Sequence, residues 1–135
     1  MEITPNKRKI ISVVEEAYGG EVCLPNFQRD FVWNREEVAD LLRSVLRGYF
    51  VGSLLMLNCD KQNPPFAPMA LRGSKPHQSS LSPGQLVLDG QQRLTSLIYA
   101  LYAPDLGLKN SKHPRRYFVD LEMLLGEPDD DEIVF

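Results

Sequence analysis

Two segments of the chain repeat one spacing of apolar residues. Val38, Leu41, Leu42, Val45 and Leu46 fall at i, i+3, i+4, i+7 and i+8, and Leu94, Leu97, Ile98, Leu101 and Tyr102 do the same. That spacing is the buried stripe of an amphipathic helix and is incompatible with the period of two that a strand requires. Around these segments lie apolar runs of strand length: "EVCLP" at 21–25, "VGSLLMLN" at 51–58 and "QLVLD" at 85–89. Short strands interleaved with helices predict an α+β or α/β domain in which the helices cover the sheet.

The punctuation sets the boundaries. Residues 7–18, "KRKIISVVEEAY", read as a first helix, stopped by Gly19 and Gly20, which suit a left-handed C-terminal turn. Asn34, with Glu37 three residues on, is a capping-box signature for the second helix, and Gly48 is placed to end it. Residues 59–84 are rich in Pro, Ser and Gly and predict a loop or insertion with little order of its own. "RRYFVDLE", residues 115–122, reads as a final strand. No internal repeat is present.

At 135 residues and 43% hydrophobic content, the chain fits one domain with a modest core. The N-terminus has no apolar signal region, and the longest clean apolar run, "SLLML", is far below the roughly 18 residues of a membrane span. The reading is a soluble, cytoplasmic protein without a membrane partner. Cys23 and Cys59 form neither a disulfide framework nor a zinc ribbon and are expected to be reduced. Charge is uneven: residues 120–132 hold seven acids and no base, leaving residues 1–119 with 15 bases against 11 acids. A mildly basic body suits a polyanion, although a solvated mixed surface has the same composition. The organisation expected is a domain over 1–120, followed at 121–135 by an acidic, Pro-containing segment that begins a longer continuation.

The junction "LDGQQRL" at 88–94 carries the chemistry. Asp89 reads as an N-cap, with Gln92 completing a D-x-x-Q capping box and Gly90 tolerating the tight first turn. A cap does not explain Arg93. An arginine in the first turn lies beside the positive end of the helix dipole, an unfavourable placement that an anion would reverse. Free backbone donors, the dipole and a guanidinium fork together make a phosphate site. Gln91 falls on the core side at 100° per residue, so it either orders a neighbouring loop or reaches a ligand. Two readings stay open here, an anion site and a plain capped helix.

A second constellation, "LPNFQRDFVWN", spans 24–34. If extended, it places Phe27, Arg29, Phe31 and Trp33 on one face. Arg29 is then either an exposed arginine stacked on Trp33, or a second cation converging with Arg93 on one ligand, with Gln28 adding polar recognition. Two arginines could clamp a triphosphate. A carboxylate beside phosphates calls for a cation, so Asp89 is a candidate Mg²⁺ ligand as well as a candidate cap.

These motifs, "LPNFQRDFVW" followed by a helix, "GYFVGSLLML" and "LVLDGQQRLTSLIYAL", resemble the N-terminal domain of the GmrSD-type restriction endonucleases, a ParB-like family with a D-G-Q-Q-R motif. The resemblance covers residues 7 to 120. It implies a ParB/sulfiredoxin-like α+β domain, a small mixed sheet with flanking helices, that binds a nucleoside triphosphate and in several members hydrolyses it with a divalent metal. It also implies a regulatory role toward a C-terminal HNH nuclease domain, and through it a link to DNA. Carried over by position, the nucleotide-binding residues are Gln28, Arg29, Gly90, Gln91, Gln92 and Arg93, supported by Trp33, Gly52 and Ser53. Asp89 is the candidate catalytic residue and Mg²⁺ ligand. The chain departs from the family in carrying no HNH motif, in having His77 and His113 beside prolines, and in lacking the family's long helical remainder. The competing readings are a non-enzymatic module holding DNA phosphates with the same arginines, and an inactive truncated product.

Overall fold

The computed structural model describes residues 3–75, 81–126 and 133–135. His77 and most of the acidic run lie outside the described residues. The chain begins with helix α1 (Ile10–Gly19), which ends where Gly20 takes a left-handed φ of 90° and its N–H returns to Ala17. Strand β1 (Val22–Pro25) follows, with all four residues buried. Helix α2 (Arg35–Leu46) starts at the expected capping box: Asn34 accepts from the Glu36 and Glu37 N–H groups, and Glu37 accepts from Asn34 N–H. Strand β2 (Leu55–Asn58) is shorter than its apolar run. Strands β3 (Pro68–Met69) and β4 (Gln85–Asp89), helix α3 (Gln91–Tyr102) and the short helix α4 (Leu121–Leu125) complete the fold.

The sheet order is β2-β4-β1-β3. β1 and β4 run parallel at its centre, with Val22 opposite Gln85 and Cys23 opposite Leu86, while β2 and β3 close the edges antiparallel. The fold is therefore α+β, a small mixed sheet with flanking helices. Helix α3 packs against both α1 and α2. Its Leu94, Leu97 and Ile98 meet Val13, Val14 and Ala17 of α1, Leu41 of α2, and Val22, Leu24 and Val87 of the central strands in one core. Because neighbours flank it on several sides, Thr95, Ser96 and Tyr99 are buried too.

Four expectations change. The described part of segment 59–84 is not without order: β3 pairs with β1 through Leu24 and Met69, and Leu71 enters the core. The hydrophobicity that drives this is sparse, so the surrounding prolines and serines mask it. The final strand shrinks to one antiparallel bridge between Val119 and Val134, because Asp120 accepts from Met123 N–H and starts α4. Leu46 and Leu101, both placed on buried stripes, are exposed in the last turns of their helices. Tyr102 is more than a third exposed but stacks on Tyr18, ring centroids 3.6 Å apart. Among the described residues no helix is long and apolar enough to cross a membrane.

Candidate functional site

The site begins where β4 gives way to α3. The expected Asp89–Gln92 capping box is absent. Gly90, not Asp89, is the N-cap; its φ is 98° and no side chain caps the helix. The sequence pattern misled because a capping aspartate needs extended backbone at the cap itself, and here that place is taken by a left-handed glycine. Asp89 remains the last residue of β4, exposed and opposite Leu55 at a bulge in the β2–β4 ladder.

That ladder brings the loop before β2 over the start of α3. Arg93 Nη2 donates to Ser53 O at 2.5 Å. A Cβ on Gly52, whose φ is +103°, would stand 2.5 Å from Arg93 Nη1, and a Cβ on Gly90 would stand 3.2 Å from Arg93 Nη2. The guanidinium therefore lies against two glycine backbones, and both glycines also adopt a conformation that L side chains rarely take. Gly52, Ser53, Gly90 and Arg93, singled out separately in the sequence, form one cluster. Arg93 is held at one nitrogen; its other N–H donors have no acceptor among the described residues.

Three glutamines bind the first motif to the second. Gln28 Nε2 donates to Leu88 O at 3.0 Å, and Gln91 Nε2 donates to Arg29 O. Gln92 uses both ends of its amide: Nε2 donates to Asp30 O at 3.1 Å, and Oε1 accepts from Val32 N–H at 3.0 Å. Gln91 and Gln92 are buried, which requires that these groups be satisfied. Of the alternatives for Gln91, ordering the neighbouring loop is the contact observed. Gln92 serves the loop rather than a cap. The only hint in the sequence was a pair of amides on a helix that is otherwise apolar on that side; which backbone they would reach was not legible.

Segment 26–34 is not one extended strand. Gln28 N–H bonds Pro25 O in a turn, so Phe27 and Arg29 are exposed while Phe31 and Trp33 turn inward. Phe27 packs edge-on to Phe66 rather than with Arg29. Trp33 is half-buried and bridges the main core and the cluster around Val38 and Tyr99. The Arg29 guanidinium is exposed and has no ion pair among the described residues. No group of three or more His, Cys, Asp or Glu that could hold a metal ion occurs among them. Cys23 and Cys59 are free thiols, donating to Gly20 O and Pro83 O.

Fold and junction together define a small α+β domain that presents a tethered arginine at an uncapped helix start. A sequence-family model described as the GmrSD restriction endonuclease, N-terminal domain, matches residues 10–132. The chain belongs to this family. It is 44% identical over 138 residues to an uncharacterised protein of Methanocaldococcus jannaschii, an alignment covering 100% of this chain and 24% of that protein. The chain thus spans about a quarter of that relative's length. No solved structure matches the chain significantly.

Proposed function

We propose that this domain binds a nucleoside triphosphate at the start of α3, as the regulatory part of a restriction or phage-defence system. The observation that carries the reading is Arg93, tethered to Ser53 O beside a helix start that no side chain caps. The first N–H groups of a helix and its dipole favour an anion, and a guanidinium fork matches phosphate oxygens. Gly52 leaves the room that the Arg93 guanidinium occupies, and Gly90 keeps its near side open. In this reading Gln28, Gln91 and Gln92 act as positioning residues, holding the 28–32 loop so that Arg29 is available as a second cation.

A single exposed carboxylate, Asp89, stands at the junction. One carboxylate fits Mg²⁺, which binds through one or two carboxylates plus phosphate oxygens of the ligand. Bound there, Mg²⁺ would neutralise phosphate charge, and Asp89 is the residue that would hold it and support hydrolysis. The family resemblance supports a nuclease domain of a larger assembly as the partner this domain regulates. The test is a set of thermal melts with ATP, GTP, CTP and UTP, each with and without Mg²⁺. At least one nucleotide should raise the melting temperature, more so with Mg²⁺, and Arg93→Ala should abolish the rise. Flat melts with all four nucleotides would overturn the reading.

A further inference from the structure

We propose that residues 48–53 form a strap whose Ser53 carbonyl is an internal stand-in for the anion, latched on Arg93 and lifted when a phosphate takes its place. The strap rests on the reading of the α3 start as an anion site, and it governs access to that site.

The strap joins α2 to β2. Gly48 and Gly52, with φ of 71° and 103°, bracket it, so both ends fall on residues with wide backbone freedom. Between them the chain is thinly held. Tyr49 N–H bonds Ser44 O at 2.9 Å, but the backbone of residues 50–52 makes no hydrogen bond among the described residues. Tyr49 is 58% exposed and Phe50 90%, so neither ring anchors the strap. What holds it down is Val51, partly buried against the main core, and Arg93.

The Arg93 contact is where strap and site meet. Arg93 Nη2 donates to Ser53 O, and the same oxygen lies 3.4 Å from the place of a Cβ on Gly90, the N-cap of α3. The carbonyl therefore stands between a guanidinium and an uncapped helix start, the position that favours an anion. Gly52 covers the other terminal nitrogen: a Cβ there would lie 2.5 Å from Nη1 and 2.9 Å from Cζ. With strap backbone against both terminal nitrogens, a phosphate cannot take that edge of the guanidinium as a bidentate pair while the strap is down. Lifting forfeits one bond to a neutral carbonyl and the Val51 contact, and a phosphate returns two bonds in which both partners are charged. Without an anion the exchange has no return, so the empty site keeps the strap closed.

Chymotrypsin cuts after aromatic residues and needs the strap open, so cleavage at Tyr49 and Phe50, mapped by mass spectrometry on the whole chain, reads the open population. The wild type without ligand should be cut slowly there. Arg93→Gln should speed that cleavage by about tenfold or more, the worth of a hydrogen bond to a charged group, with no comparable rise at other aromatic sites. Gly52→Ala, whose Cβ would collide with the guanidinium, should do the same with Arg93 intact. Inorganic triphosphate with Mg²⁺, its binding followed by calorimetry, should speed the cut in the wild type and leave Arg93→Gln unchanged. A wild-type cleavage rate in both folded variants overturns the strap whether or not triphosphate binds. Triphosphate that binds without speeding the cut, or that protects these bonds, overturns the strap and leaves the anion site standing. No binding of triphosphate, with both variants opened, overturns the anion site and the exchange with it, leaving Arg93 a structural latch alone.

Discussion

Gln92 is the residue on which the two motifs depend most. Among the described residues its amide is the one side chain that meets both a donor and an acceptor of the 30–32 backbone, Val32 N–H and Asp30 O, from a buried position. A primary amide carries the donor and the acceptor on separate atoms, so it can meet the two backbone groups at once. Gln92→Ala should cost about 1 to 3 kcal/mol, the penalty of leaving buried backbone groups unpaired. Gln92→Glu should cost more despite its near-identical shape, because a carboxylate would face the Asp30 carbonyl and bury a charge. Urea unfolding measures both, and a glutamate variant as stable as the wild type would contradict the geometry. At this scale the sequence was partly legible. Arg93 stood out from residue type, since a first-turn arginine with no cap role calls for a partner, whereas Gly52 and Ser53 came only with the family resemblance. That the partner would include Ser53 O could not be read, because the β2–β4 register that brings residue 53 over Gly90 is a long-range pairing.

The helices differ in how they start, and the difference is testable. Helix α2 has a complete capping box, whereas α3 has a left-handed glycine and no side-chain cap. Asn34→Ala should therefore destabilise by about 1 kcal/mol. Asp89→Ala, which the sequence pattern would rank beside it, should stay within about 0.5 kcal/mol, as surface substitutions do. Thermal or urea melts of the two variants side by side decide it; an equal loss would restore Asp89 as a cap. Element existence was readable for α1, α2, β1, β4 and α3 because each has its own period and its own stop signal. Strand β3 was not, because two residues, one of them proline, carry no period. Its place is set by the partner, Leu24 of β1, and by Leu71 behind it. For the same reason the 115–122 run, with strand-like composition, forms only a bridge: strand propensity needs a partner of matching length.

For the molecule as a whole, a buried thiol and a half-buried phenol shape the behaviour at high pH. Burial pushes the Cys23 thiol from 9.0 up to about 11, with the nearby Cys59 and Glu21 charges adding to it. Burial likewise pushes the Tyr117 phenol up to about 12, assisted by Tyr99 and Glu36. Both groups are neutral when protonated, so the folded chain keeps protons that the unfolded chain has released. Stability should be level with respect to these groups below about pH 9 and fall as pH rises from 9 toward 11, by roughly 2 to 3 kcal/mol for Cys23 at the upper end. Melts of Cys23→Ala across that range should show a shallower fall, and an unchanged slope would contradict the assignment to Cys23. The fold class and the family motifs were legible in the sequence because alternating periods and short polar boxes are local properties. Which backbone groups of the 29–32 loop α3 would hold was not, because that rests on contacts some sixty positions apart. The most direct test of the nucleotide site is calorimetric titration of the triphosphate that gives the largest thermal shift, with Mg²⁺, into the wild type and Arg93→Ala. Loss of the guanidinium should weaken binding by about 1.5 to 3 kcal/mol, roughly 10- to 150-fold, with little change in melting temperature of the free protein. A folded Arg93→Ala variant that binds the nucleotide as tightly as the wild type would contradict the account.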